Sequence, residues 1–439
     1  MSDLEPALTY RPVVDRFAFS LPLDPPSAVV FIAVFIAAAL LTARRPVYGL
    51  CTLILVTPVA FAHETFGTTL TIEKSALLGV LLGLTTYAGN GALLRRAPAP
   101  QFLAVLCAFV VITALTAVDA VYRGAVVRET LKAVQYAATF LAAFLCYARD
   151  REDSVLLGTV YVAAIGVAIS ALAQEIIGAP SGLYIGAAIV PRIAGLLEGP
   201  NQLAAYCEIA VATLGAWALV RRSRLLDAAL ALTLCAGVLT FSRAGWIALA
   251  AVGAILIAAA GRTAWTALRP AAAGLVIGGA GALWWAIYAH TPGVLRATLE
   301  PSLYAGGVGN RSELWRAAWR MWLAHPILGV GAGNFEFLLA AFGVAGVRTH
   351  ANSWYLQSLA EGGLLLFLAT IALLVTIFAT FRYGESVRRL RGGSPWALAA
   401  FAATVALALH QIVDYLVFYP KVGSAWLLLV GIAAAALRT

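Results

Sequence analysis

The chain has 439 residues, 62% of them hydrophobic and only 12% charged, against roughly 45–50% and about 25% in an ordinary soluble domain. Many apolar runs approach the roughly 20 residues needed to cross about 30 Å of hydrocarbon, which excludes a soluble enzyme, a nucleic-acid-binding protein and a secreted disulfide scaffold. The formal net charge of +9, from 30 Lys+Arg against 21 Asp+Glu, is explained largely by arginine pairs flanking those runs.

In chain order the apolar segments fall at about 28–43, 46–62, 75–94, 101–118, 131–148, 154–177, 201–220, 225–241, 244–260, 271–289, 353–381, 395–417 and 422–437. Only helices satisfy their own backbone in lipid at such lengths, so the expected class is all-α, a polytopic membrane protein of about 12 to 13 transmembrane helices. The N-terminal tail lacks the basic-then-apolar order of a signal peptide and is expected to be retained. Basic clusters follow alternate segments: Arg44-Arg45, Arg95-Arg96, Arg149 with Arg151, Arg221-Arg222, Arg262 with Arg269, and Arg388-Arg389. The positive-inside rule places them in the cytoplasm. Thirteen spans then put the N-terminus outside, whereas twelve, with one early segment interfacial or re-entrant, put both ends inside.

Three regions are expected: N-terminal transmembrane helices over 1–289, a periplasmic helical loop over 290–352, and C-terminal transmembrane helices over 353–439. The five cysteines, Cys51, Cys107, Cys146, Cys207 and Cys235, all lie in apolar segments and read as small core residues. Neither a DxD-type pair nor a cluster of carboxylates and histidines at ligand spacing marks the outer face, so no metal and no cofactor is expected.

Outer-face arginines run against the orientation bias, so each is a candidate for function: Arg123, Arg128, Arg192, Arg243, Arg296, Arg311, Arg316, Arg320 and Arg348. Several loops converging on one side would make a cationic pocket, and guanidinium suits a bidentate grip on phosphate. The alternative is that they snorkel or pair with acids such as Asp119, Glu198 and Glu313. In NRSELWRAAWRMWLAHP, Asn310 is placed to cap a helix. At roughly 100° per residue, Arg311 shares a face with Trp315, Ala318, Trp319 and Trp322, while Arg316 and Arg320 point away. Pro326 ends that helix, and GVGAGNF supplies a tight turn. It is not a phosphate loop, because no Lys-Ser/Thr follows.

Arg243, in TFSRAGW, is held between two spans with almost no loop, an expensive position for a charge and usually a functional one. Arg192 precedes a span that Asn201 is placed to cap. His350 stands two residues before Asn352, the expected cap of the next span. The helix dipole there favours a neutral imidazole, the form a general base needs. His63, His290, His325 and His410 lack such a setting. Gln357 and Glu361, four apart, are expected to face the bundle interior.

The segments PRIAGLLEGPNQLAAY, LTFSRAGW, NRSELWRAAWRMWLAHPILGVGAGNF and THANSWYLQSLAEGGLLLFL, in that order over roughly residues 190–370, resemble the O-antigen ligase family and its wider ligase/polymerase superfamily. The resemblance implies a metal-independent, integral-membrane GT-C-type glycosyltransferase of the bacterial inner membrane with its active site facing the periplasm. It implies an undecaprenyl-diphosphate-linked glycan as donor and lipid A core oligosaccharide as acceptor, and no nucleic-acid partner. By motif position Arg243 and Arg311 correspond to the family's essential arginines and His350 to its essential histidine. Arg192, Arg128 and Arg348 are candidates for the diphosphate. Family members often have Asn directly after the histidine, where this chain reads His350-Ala351-Asn352. A polymerase acting on lipid-linked or exopolysaccharide glycan, a ligase with a protein acceptor, and a lipid-linked glycan transporter are the alternatives. Few interior acids and no pseudo-repeat of broken helices speak against transport. A single long outer loop leans toward a ligase.

Overall fold

The structure is a computed structural model that describes residues 19–20, 25–59, 61–65, 68–96, 98–177, 181–185, 188–261, 264–288 and 308–437. Arg262, His290, Arg296 and the first part of the 290–352 loop lie outside the described residues.

Among the described residues, thirteen apolar helices correspond to the thirteen apolar segments. They are α1 (Pro25–Arg44), α2 (Pro46–Val56), α3 (Ile72–Leu84), α5 (Ala99–Leu115), α6 (Arg123–Arg149), α7 (Asp153–Ile177), α8 (Pro200–Ala218), α9 (Arg224–Leu239), α10 (Arg243–Ala260), α11 (Ala264–Tyr288), α14 (Trp354–Thr380), α16 (Trp396–His410) and α17 (Pro420–Ala436). Four shorter or more polar helices join them: α4 (Asn90–Leu94), α12 (Val308–Ala324), α13 (Phe335–Leu338) and α15 (Tyr383–Arg391). By length and composition, four stretches among the described residues suffice to cross a membrane: Arg123–Arg149, Asp153–Gln174, Arg243–Ala260 and Trp354–Arg391. The chain is an all-α polytopic membrane protein.

Two small sheets were not anticipated. Strand β1 (Phe19–Ser20) pairs in parallel with β2 (Phe61–Thr65), which forms a hairpin with β3 (Thr68–Thr71); β4 (Ser181–Ile185) and β5 (Ala188–Arg192) form a second hairpin. Helix α2 is only 11 residues long, about 16 Å at 1.5 Å per residue, because its segment leaves the helix to enter β2.

The helices pack by small residues. The Cβ of an alanine at Gly79 or Gly83 would meet the α1 backbone at 2.3 or 2.6 Å, so α1 and α3 touch main chain to main chain. The pairs α6–α17 and α8–α16 form the centre of the bundle, whose core includes Phe140, Phe144, Trp217, Trp396 and Trp426; α11 packs on α9 with its outer face exposed. At one end the expected cytoplasmic arginines are tied down: Arg45 grips Asp150 at 2.6 Å and Glu152 at 2.8 Å, and Arg149 donates to Asn90 Oδ1.

At the opposite end, α12 lies across the first half of α14 and builds its own core from Leu314, Ala317, Ala318, Met321, Phe335 and Ala360. This stripe is rotated from the expected tryptophan face, and Trp319 is exposed. Arg316 and Arg320 are exposed, as their spacing implied. The glycine turn after Pro326 inserts into a break in α14. Gly329 (φ 67°) lies so close to Glu361 that a Cβ would sit 2.3 Å from its carbonyl carbon, and Gly363 (φ 58°) lies equally close to Ile327. Glu361 Oε1 accepts from Phe335 N at 3.1 Å, and Gln357 Oε1 accepts from Ala351 N at 2.6 Å. Both side chains are buried as expected, and both hold the outer segment to α14.

Candidate active site

Three loops and two helix ends meet where α12 covers the bundle. Arg192, the last residue of β5, is buried. Its Nε donates to Thr240 O at 2.6 Å and its Nη2 to Asn201 Oδ1 at 3.0 Å. Asn201 is not the helix cap the sequence suggested: Gly199 stands at that position, with no side-chain bond. Instead Asn201 turns its amide inward and donates to Asp414 Oδ2 at 2.6 Å, while Tyr415 N donates to Asp414 Oδ1 at 2.7 Å. Burial pulls the Arg192 guanidinium down to about 10; Asp414 opposes the shift, and Arg311 and Arg243 add to it. It remains a cation at neutral pH.

Asp414 is the anion of this centre. It stands in the turn between α16 and the 3₁₀ segment Leu416–Phe418, in a stretch that hydropathy assigns to a span. Burial alone would raise its pKa, but Arg311, His350 and His410 outweigh that and hold the carboxyl below its usual range.

Arg243 opens α10 directly after a two-residue turn. Phe241 there takes φ 52°, Thr240 Oγ1 accepts from Ser242 N, and Ser242 Oγ caps Gly245 N. Arg311 comes from α12 above. Its charge acts on Arg192, His350, His410 and Asp414 alike, which makes it the electrostatic hub of the group. Both guanidiniums are half-exposed. Among the described residues neither forms an ion pair or a side-chain hydrogen bond. Two like charges near each other raise the local positive potential, which the Asp414 carboxylate offsets in part at Arg311.

His350 packs against the rings of Tyr415, Phe418 and Tyr419 at centroid distances of 5.7 to 6.3 Å. Loss of water lowers its pKa; Asp414 opposes this, and Arg311 and Lys132 reinforce it. The ring is therefore neutral at pH 7. Its Nδ1 accepts from Asn352 N at 3.2 Å, which leaves the ring proton on Nε2. Asn352 is not the cap of α14: it takes φ 49°, and Ser353 caps the helix by accepting from Leu356 N.

Arg192, Arg243, Arg311 and His350 are thus brought together. Arg128 and Arg348 gather elsewhere, around α13: Arg128 lies 3.7 Å from Glu336 and 3.8 Å from Glu129, and Arg348 stacks on Phe337 at 4.9 Å. Asp414 had escaped notice, and so had a buried pair beneath it, Glu208 with His410. The one signal for them was polar residues inside apolar segments. Among the described residues no group of three or more His, Cys, Asp or Glu is arranged to hold a metal ion. One turn into α10, Trp246 marks the upper end of an apolar cavity of about 1080 Å³, which runs between α10 and α11 past Leu249, Ile257, Leu268 and Leu275.

No curated protein matches the chain with significance. Residues 228–371 match the family model described as O-antigen ligase. The matched stretch supplies Arg243, Arg311 and His350, while Arg192, Asn201 and Asp414 fold in from outside it. Over that stretch, about a third of its length, the chain is similar to the O-antigen ligase family.

Proposed function

We propose that the protein is a periplasmic-face glycosyltransferase of the inner membrane. It moves a glycan from undecaprenyl diphosphate to lipid A core oligosaccharide, without a metal and with inversion. The observation that carries this reading is the pair Arg243 and Arg311, two guanidiniums with no ion pair or side-chain hydrogen bond among the described residues, beside a neutral histidine and within the stretch that matches the family. Their charges bind the donor diphosphate and stabilise the negative charge that grows on it as the glycosidic bond breaks, the task a divalent ion performs in other transferases. The apolar cavity beside Arg243 suits the polyprenyl chain. Arg192 adds positive field from behind and fixes Asn201 and the Thr240 carbonyl. Arg128 and Arg348 were expected at the diphosphate, but their contacts at α13 suit the rim of the site better.

His350 takes the proton of the attacking acceptor hydroxyl on Nδ1, which releases its contact with Asn352 N to do so. The hydroxyl oxygen bonds to the anomeric carbon, and the old bond's electrons leave with the diphosphate. Asp414, held ionised by Arg311 above all and fixed in place by Asn201 and Tyr415 N, stabilises the imidazolium that forms.

The Asn352 contact favours a second reading, in which Nε2–H of His350 donates to a diphosphate oxygen and removes no proton. Replacing His350 by Gln separates the two, because Gln keeps a donor and has no base. Under the base reading transfer falls about 10²- to 10⁴-fold in a folded variant; substantial transfer by His350→Gln would support the donor reading and sink the base.

A further inference from the structure

Beneath the arginines lies a buried chain of polar groups that the transfer reaction does not use. Glu208 on α8, His410 at the end of α16 and Ser242 at the start of α10 are 0%, 1% and 4% exposed. His410 Nδ1 lies 2.6 Å from Glu208 Oε1, and His410 Nε2 lies 3.5 Å from Ser242 Oγ. The serine oxygen accepts from Gly245 N and is also the polar atom that faces His410 Nε2. Glu208 in turn holds the opposite ring nitrogen as the donor. The order Ser–His–Glu resembles a nucleophile triad, but no substrate reaches an oxygen this buried that is spent on a helix cap.

We propose that Glu208, His410 and Ser242 form a positioning relay that holds Arg243 where it meets an anion. This rests on the diphosphate reading of the site. The turn that presents Arg243 is the most constrained in the region: Phe241, a bulky residue, is in the left-handed conformation, two residues from Arg243. Such a conformation persists only where its surroundings over-determine it. Each of its flanks is pinned, Thr240 O by Arg192 Nε and Ser242 Oγ by His410. His410 is itself anchored to α8 through Glu208, so two helices, α8 and α16, fix where α10 begins. The relay acts through Arg243 and touches no reacting atom.

The test is a double-mutant cycle read by binding. Purified full-length protein carrying Ser242→Ala or His410→Gln is compared with wild type for affinity toward undecaprenyl diphosphate and toward inorganic pyrophosphate, and the comparison is repeated in an Arg243→Ala background. Ser242→Ala leaves the buried Glu208–His410 pair intact and so guards against simple misfolding. The relay predicts about tenfold weaker binding for each single change, less than about twofold further loss once Arg243 is gone, and recovery with Ser242→Thr. Equal losses in both backgrounds, or none in the wild-type background, overturn it. Binding of pyrophosphate but not the lipid overturns the lipid reading and leaves the relay to be judged on pyrophosphate. Wild type that binds neither overturns both.

Discussion

Asn201 donates its side-chain amide to Asp414 at 2.6 Å, joining residues 213 positions apart in the chain. The same amide's oxygen accepts from Arg192 at 3.0 Å, so one side chain links the hairpin before α8 to the turn after α16. That turn carries the carboxylate that faces His350 and Arg311. The link makes the site one unit built from distant parts of the sequence, and the consequences of breaking it differ residue by residue.

Asp414→Asn keeps the shape and removes the charge. The His350 imidazolium then loses its stabilising anion, so the histidine pKa falls further and the acid limb of the rate profile moves to lower pH. The plateau rate also drops, by about 10- to 100-fold. Transfer measured across pH 4.5 to 8 checks both, and an unchanged plateau would remove Asp414 from the mechanism.

Arg311→Met has the opposite sign on the pH axis. Arg311 is one of the cations that depress the His350 pKa. Removing it lets that pKa rise toward the ordinary value of about 6.5, and the acid limb shifts to higher pH. Donor affinity falls as well, because one of the two unpaired guanidiniums is gone. A variant with weakened affinity but an unmoved acid limb would separate Arg311 from His350.

The docking of the glycine turn into α14 gives a stability prediction. Gly329→Ala and Gly363→Ala each place a Cβ about 2.3 to 2.4 Å from main-chain carbon at a positive φ. Each should cost about 1–3 kcal/mol, read as a lower unfolding midpoint of the purified protein. Gly346→Ala, also at positive φ but with open space around it, should cost less. Equal effects at the three positions would point to φ alone and against the close approach.

Arg243, Arg311 and His350 were legible because each lies in a short ordered motif, and Arg192 because it stood against the charge bias of its side. Asp414 was not. It sits in HQIVDYLVFYP, where Ile412, Val413, Leu416 and Val417 carry a hydropathy window across it. The helix stops at His410 all the same, and the chain turns there with Asp414, Leu416 and Val417 buried and Ile412 exposed. Hydropathy measures how apolar a segment is and cannot tell a span from a buried turn. The two hairpins were missed for a related reason: SGLYIGAAIVPR and FAHETFGTTLT are short, and strand pairing depends on partners that helical periodicity does not reveal. The core stripe of α12 is Leu314, Ala317, Ala318 and Met321, rotated from the face on which Arg311 was grouped with the tryptophans.

The central claim is that this site transfers a lipid-linked glycan, and product mass tests it most directly. Reconstituted protein is given an undecaprenyl-diphosphate-linked glycan, with and without lipid A core and with EDTA throughout. The account predicts core plus glycan only in the tube that contains core, and its loss in a folded His350→Ala variant. A ladder of lengthened lipid-linked glycan without core would make the protein a polymerase. No glycan transferred in either tube would contradict the account.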